Sequence, residues 1–565
     1  MAKNVSDQIV EFLIDIGVKH IYGIPVDTVD SIMESLRKQN KIRFVVCRHE
    51  EAAAFAASFQ AKLTGELAVC VACQGPGAIH LLNGLYDAAT DRAPVLAITG
   101  QVPNAVIGTD MPQEINQIAL FQDCCVYNQE MRDPAQTIPV FTSAFQAAMD
   151  KPGVAHISIP SDVMRMPANA AKFNPILLKA RSIHTPHPDA IAEAVKVIAE
   201  SQKIAILYGH GSRDAAVEIM QLSEKLKAPL THTTRSKDLI DNHHPHYMGG
   251  IGLMGSHAGN YAVHNAEVLI VIGSSFAYHE YYPDHAKIIQ IDVDPNRLAK
   301  HCQIACGIIG DAKLTASALL SQLPLKTDSH YLIKCKSSRA NTDKLENWQT
   351  RPDKPGELIH PQALTQKLNE HLPTDAVIIA DAGGVTVWGN NFLKLNGKQR
   401  WTWSANLASL GACLPGAIAA KLTYPDRPVI GLAGDGGFGM LLGDFATAVR
   451  YQLPILYIVY NNFCYGFIEL EEQGEGNPVF GTKLNNPDFA ELAKVFGGDG
   501  IVVKNFAEID AAIQRGLASK VPFIMDVHTD PKALMIPPVI NAKMAYEFGR
   551  SHIRTWFAKP SEADK

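Results

Sequence analysis

Pro428-Val-Ile-Gly-Leu-Ala433 runs into Gly434-Asp435-Gly436-Gly437, and Ile455-Leu-Tyr-Ile-Val-Tyr460 runs into Asn461-Asn462. Both apolar runs have the length of a buried strand, and each ends in residues that can turn sharply or donate an oxygen. The interval between Asp435 and Asn462 suits one strand, a loop, a helix and a second strand, so both side chains can meet at the carboxyl edge of a parallel sheet. Such sheets bind ligands at that edge. Carboxylate, amide and carbonyl oxygens are hard donors suited to octahedral Mg2+, which prefers a few protein ligands together with phosphate oxygens and water. The three glycines let the backbone turn and approach an anion, and amides at the next helix start can face it. The segment reads as an α/β site in which Mg2+ holds a diphosphate.

Working outward, the same texture repeats. The chain has 565 residues, too many for one ordinary core, so two to four domains are expected. The first segment, 1–180, alternates helix-like stretches with strands such as Leu67 to Ala72, Pro94 to Thr99 and His156 to Pro160. A non-periodic, Pro-containing passage around 165–188 reads as a linker. The second segment, 181–345, opens with the strand Lys203 to Tyr208, and the polar run 336–355 reads as the next linker. The third, 346–530, contains the Asp435 motif, and 531–565 forms a tail. The fold class is α/β, with three consecutive doubly wound parallel-sheet domains.

Composition excludes several classes. Lys and Arg number 51 against 57 Asp and Glu, which argues against a nucleic-acid partner. No uninterrupted run of about 20 apolar residues is present, and the N-terminus lacks the apolar core of a signal peptide, so a cytoplasmic location is expected. Ten cysteines are thinly scattered, so no disulfide framework is expected, and Cys70-Val-Ala-Cys73 reads as a buried structural pair. His243-His-Pro-His246 reads as an exposed loop.

The second segment carries glycine-rich strand ends. Its first strand ends in Gly209-His-Gly211. Further on come Gly249 to Gly255, a strand Val268 to Gly273 followed by Ser274 to Tyr278, and a strand Ile288 to Asp292 whose terminal acid is placed to bind a ribose diol.

A glycine-aspartate-glycine followed at this distance by a double asparagine resembles the thiamine-diphosphate (ThDP) signature. A second mark of that family lies at Arg48-His49-Glu50-Glu51, which follows the strand-like Phe44 to Cys47 and opens an Ala-rich helix. With the middle segment included, about residues 1 to 540 resemble the ThDP-dependent pyruvate oxidase family, and are most similar to its quinone-linked members. The resemblance implies a pyrimidine-binding N-terminal domain, a central FAD-binding domain and a domain for the diphosphate and Mg2+. It places the cofactor-activating role on Glu50 and the metal ligands on Asp435, Asn462 and the carbonyl of Cys464. Gly436 and Gly437, with Phe463, Tyr465, Gly466, Phe467 and Ile468, would border the ThDP. Ala408, Ser409 and Leu410 match the stretch against the aminopyrimidine, with Leu410 as the wedge that bends the cofactor. Flavin contacts would come from Ile251, Gly252, Leu253 and Met254, from Ser274, Ser275, Phe276, Ala277 and Tyr278, and from Asp292. Phe467 and Glu471 match substrate-pocket positions, one helical turn apart, and His80 is matched by a pocket histidine.

The implied reaction is oxidative decarboxylation of pyruvate to acetate and CO2, with electrons passing through FAD to a quinone. Alternatives are a phosphate-dependent oxidase that makes acetyl phosphate and H2O2, an acetolactate synthase-like carboligase, and a non-catalytic regulatory subunit. In relatives ThDP lies between two chains, so a homo-oligomer, a tetramer by resemblance, is implied. Two departures stand out. Pro112-Gln113-Glu114 replaces the family's Phe-Gln-Glu, which leaves Gln113 a hydrogen-bonding role without the neighbouring aromatic wall. The C-terminus also differs from the membrane-binding peptide of quinone-linked relatives. If 539–559 is helical, Ile540, Met544, Phe548 and Trp556 share an apolar side and Lys543, Arg550, Arg554 and Lys559 a polar one, suiting either a docked helix or peripheral membrane contact.

Overall fold

The computed structural model describes residues 3–179, 182–354 and 356–533, with Glu547, Arg550, Ser551 and Arg554 beyond them. Three six-stranded sheets follow one another along the chain, and every paired strand in them is parallel. The first holds β1 His20–Gly23, β2 Arg43–Val46, β3 Ala68–Ala72, β4 Val95–Gln101, β5 Cys125–Glu130 and β6 Val154–Pro160. The second holds β7 Ile204–Tyr208, β8 Leu230–His232, β9 Tyr247–Gly250, β10 Val268–Ile272, β11 Lys287–Asp292 and β12 Cys306–Ile309. The third holds β13 Val377–Ala380, β14 Arg400–Thr402, β15 Val429–Gly434, β16 Ile455–Asn461, β17 Asp499–Val503 and β18 Phe523–His528. Central strands such as β3, β10 and β16 are buried along their whole length, as expected for apolar, largely β-branched runs covered by helices on both faces.

Strand order fixes where ligands can enter. Numbered within each sheet, the outer two share the order 2-1-3-4-6-5. The middle sheet runs 6-5-4-1-2-3, which from its other edge is 3-2-1-4-5-6, the dinucleotide-binding order. The order reverses between β1 and β3, between β7 and β10, and between β13 and β15. Crevices therefore open beyond the carboxyl ends of those pairs.

The helix Glu50–Thr64 joins the outer domains. Its alanines let the helices Pro76–Thr90 and Cys413–Thr423 approach closely: a Cβ on Gly84 would lie 2.5 Å from Phe55 N, and one on Gly416 would lie 2.6 Å from Phe59 Cδ1. One apolar core, including Phe55, Phe59, Ile418 and Tyr457, spans both domains. Near the end of the same helix, buried Lys62 lies 2.7 Å from Asp87 and 2.6 Å from Asp91. Arg235 of the middle domain is 3.2 Å from Asp91, which also accepts from the amides of Ala405 and Asn406 in the third domain. All three domains thus meet on one carboxylate.

The polar run expected to be a linker, 336–355, is helical to residue 349, within the helix His330–Gln349. This helix has no continuous apolar stripe. Leu332 and Cys335 pack against the middle domain, while Arg339 pairs with Asp343 and with Glu346, the latter also 2.8 Å from Lys394. Ion pairs at helical spacing replaced the apolar periodicity that would have revealed it.

Candidate functional site

The helix Asp435–Met440 begins as soon as β15 ends. That abrupt start leaves Asp435 2% exposed, with Asn486 Nδ2 donating to its Oδ2 at 2.6 Å. The two asparagines after β16 divide their work. Asn461 donates to Asp526 at 2.9 Å and accepts from Asn486 at 3.0 Å, so it fastens the strand end. Asn462 faces the cavity with its Oδ1 accepting from Cys464 N at 3.2 Å. Burial pushes the Cys464 thiol up to about 12, so the sulfur stays protonated and the backbone carbonyl is the donor this residue can offer. Phe463 between them has φ +57°, and Ala408 (+56°) and Gln113 (+67°) share that left-handed conformation. Non-glycine residues held there are sparsely populated and cluster at functional sites.

Burial lifts the Asp435 carboxyl to about 6, despite the hydrogen bond from Asn486. A raised native pKa gives stability that is present below the unfolded carboxylate range and is lost as pH rises through about 6. A divalent cation on the ionised carboxylate reverses that loss. If Asp435 ligates Mg2+, affinity for the ion weakens about tenfold per unit as pH falls below about 6, because proton and cation compete for the same oxygens. Titrating Mg2+ at saturating ThDP across pH 5 to 8 measures this. A flat profile would remove Asp435 from the ligand set.

Ser404 Oγ accepts from Ser409 N at 2.9 Å, holding the loop that carries Leu410, and Ser409 Oγ accepts from Asn83 at 3.0 Å. Phe467 and Glu471 lie one turn apart on the helix Gly466–Gly474. This helix is followed by Gly476 and Asn477, whose carbonyls accept from Arg554 (3.0 Å) and Ser551. Arg554, expected on the polar side of a terminal helix, thus contacts the protein. Ile540, Lys543, Met544, Phe548, Trp556 and Lys559 lie outside the described residues.

Glu50 begins its helix at 8% exposure, with Oε2 2.9 Å from His80 Nδ1. A Cβ on Gly77 would meet its Oε1 at 3.2 Å and Cys73 Sγ at 2.7 Å, so any side chain there would displace one of them. The turn before it is tied to the third domain, where Asp444 accepts from Arg48 N at 2.9 Å and Tyr451 from Val46 N at 2.8 Å.

On the middle domain, the loops after β7 and β10 touch: a Cβ on Gly209 would lie 2.4 Å from Gly273 O, and one on Gly273 2.5 Å from Gly211 C. The strand ends at the topological crevice therefore require glycine. Gly252 (φ +90°) is held by Asn260, which accepts from its amide at 3.1 Å and donates to its carbonyl at 3.2 Å. Asp292, at the end of β11, is 7% exposed, and burial raises its pKa.

One cavity of about 1720 Å³ joins these parts. Its wall includes Ile251 to Met254, Ser274 to Tyr278 and Asp292 on one side. On the other are Ala408, Leu410, Asp435 to Gly437, Asn462, and Cys464 to Ile468 with Glu471. Ser409 and Phe463 lie beside it without lining it. Glu50 and Gln113 are not in its wall, and Gln113 instead accepts from Gln74 at 3.2 Å. The histidines 243, 244 and 246 pair with Asp241, Glu224 and Ser223, and although the rings of His244 and His246 touch edge to face, the three do not form a metal-ligating group. Among the described residues, no helix is long and apolar enough to cross a membrane.

Reading the sequence alone missed Asn486, Asn260 and Asp381. For the first two no local signal exists. Asp381 did have one: the apolar β13 followed by Asp381-Ala-Gly-Gly384 repeats the strand, acid and double-glycine pattern of residues 429–437.

Three family models match the chain: the thiamine pyrophosphate enzyme N-terminal TPP binding domain over residues 3–120, the central domain over 191–319 and the C-terminal TPP binding domain over 381–527. A putative thiamine pyrophosphate-containing protein of Bacillus subtilis is 37% identical over 98% of this chain and 96% of its own. The pyruvate oxidase of Lactiplantibacillus plantarum is 34% identical over 87% and 81%. A probable acetolactate synthase large subunit of Methanocaldococcus jannaschii is 32% identical over 94% and 93%.

Proposed function

The chain belongs to the thiamine pyrophosphate enzyme family, and from that premise we propose that it oxidatively decarboxylates pyruvate to acetate and CO2, passing two electrons through FAD to a quinone. The overall balance is pyruvate, water and quinone giving acetate, CO2 and quinol. The observation that carries this reading is the single cavity shared by the glycine-bounded crevice of the middle domain and the Asp435–Asn462 motif, which would set a flavin beside the reacting centre.

Both groups fit the residues present. Asp435 is a buried carboxyl whose raised pKa a cation would relieve, and Gly434 has no atom within 4 Å of an added Cβ, leaving space for phosphate oxygens. The middle sheet has the dinucleotide strand order, a glycine contact at its crevice and a buried acid, Asp292, at the end of β11. Bound ThDP would supply the nucleophilic carbon and electron sink that decarboxylation requires, and FAD the two-electron acceptor. Asp435, Asn462 and the Cys464 carbonyl would hold Mg2+. Leu410 would bend the cofactor, while Phe467 and Glu471 border the substrate. Glu50, oriented by His80, would hold a proton at the aminopyrimidine ring nitrogen. The family resemblance implies that ThDP lies between two chains, and with Glu50 and Gln113 outside the cavity wall of their own chain we assign both to the site of a second copy in a homo-oligomer.

The test is to load the protein with ThDP, Mg2+ and FAD, add pyruvate without oxygen and follow the flavin absorbance. Bleaching, then recovery on adding a soluble quinone, with acetate formed whether or not phosphate is present, is the expected result. A flavin that stays oxidised while acetolactate accumulates would replace the oxidase with the carboligase. Acetyl phosphate made only with phosphate would replace quinone linkage with the phosphate-dependent reaction.

A further inference from the structure

Asp381 follows β13, which pairs with β15 at the switch point of the third sheet, and so stands beside the glycine turn that follows β15. It is 1% exposed and does not line the cavity, yet its carboxyl serves three segments. Its Oδ1 accepts from Ala382 N at 3.1 Å and its Oδ2 from Gly411 N at 3.1 Å. The nearby backbone amides of Ala412 and Cys413 also favour its charged form, although burial pushes its pKa up to about 7. Gly411 immediately precedes the N-cap of the helix Cys413–Thr423, which has no side-chain cap of its own, so Asp381 stands beside that N-terminus from another strand. On the opposite side Oδ2 abuts the glycine turn: a Cβ on Gly437 would lie 2.2 Å away. Gly411 (φ +84°) reaches the same helix, since a Cβ there would come within 3.2 Å of Met440 Cβ.

One buried carboxylate thus stands between the loop that carries Leu410 and the turn that carries Asp435. We infer that Asp381 is a positioning residue that fixes the separation of these two loops and so the bend imposed on ThDP, an inference that rests on ThDP binding at this site. A change at the Asp381 carboxyl, which lies outside the cavity wall, would shift Leu410 relative to the metal motif without touching the cofactor, whereas one at Gly437 would press on the same carboxyl from the wall itself. Helix capping alone would predict a loss of stability and nothing specific to the cofactor. Positioning predicts a defect in activating the cofactor that depends on Leu410.

The experiment uses the full chain with Mg2+ and ThDP in the absence of pyruvate. ThDP binding is read by quenching of tryptophan fluorescence, and cofactor activation by NMR as exchange of the thiazolium C2 proton with deuterium at saturating cofactor. D381N is expected to bind ThDP saturably but to exchange at least about tenfold more slowly than wild type, given that small misplacements cost catalysis heavily. G437A, which keeps the carboxylate but pushes against it, should show the same loss. In a Leu410→Ala background D381N should add little, because the wedge it places has gone. Exchange within twofold of wild type in both variants, or full additivity with Leu410→Ala, overturns the inference. If neither variant folds even with cofactor present, Asp381 is a folding residue and the positioning role is rejected. If wild type itself fails to bind ThDP, the functional reading falls and the inference with it.

Discussion

D435A is expected to weaken binding of Mg2+ and ThDP by at least about 10²-fold and to abolish turnover, with the apo protein still folded. The buried carboxyl has no role in the apolar core, and its burial at the helix start is an electrostatic burden that its hydrogen bonds offset only in part and that a cation would relieve. Removing it forfeits the one anionic oxygen pair of the proposed ligand set, since Asn462 and the Cys464 carbonyl are neutral. Asn486→Ala, which removes a partner of Asp435 and leaves the ligand in place, should cost about 10- to 100-fold in metal affinity. Calorimetric titration of ThDP in excess Mg2+ measures both. Affinity in D435A equal to wild type would show that the cation is held elsewhere. Because D435A also removes a carboxyl that must ionise inside the fold, its apo form should lose less stability than wild type as pH rises through about 6.

Glu50→Gln is the second large effect. Turnover is expected to fall by about 10²- to 10⁴-fold, the range for losing a positioned acid or base, while ThDP and Mg2+ remain bound. Glutamine keeps the volume beside Gly77 and can still reach His80, but it cannot hold or move the proton. The position of Glu50 outside the cavity wall adds a sharper test. If the site is shared between copies, inactive E50Q and inactive D435A chains, unfolded together and refolded as a mixture, will regain activity. A hybrid pair then contains one site in which both residues are intact. No recovery, with hybrid oligomers demonstrated by native mass spectrometry, would place Glu50 and Asp435 in the same chain's site and refute the sharing.

The residues legible in the sequence were those whose chemistry sits at strand ends. Gly434 to Gly437, Asn461-Asn462 and Asp292 each follow an apolar run, and a parallel sheet must place such residues at its carboxyl edge. Local pattern therefore fixed the class of fold, three sheets of alternating strand and helix, and the placing of Asp435 and Asn462 at one strand edge. The same logic would have found Asp381, whose strand-acid-glycine pattern matches that of Asp435. The helix His330–Gln349 escaped because ion pairs and a few buried contacts hold it, leaving no apolar period to read.

Other features had no sequence signal. The 3-2-1-4-5-6 strand order of the middle sheet depends on which strands pair, and pairing joins residues far apart in the chain. The roles of the two asparagines depend on Asp526 and Asn486, which only folding brings to them. Sequence alone determined the chemistry available to this protein, because side-chain type and strand-end position are local properties. Tertiary structure decided which groups share one cavity, that Glu50 and Gln113 stay outside it and that Asp381 spans two loops, because each of those depends on distances set by packing whole domains together.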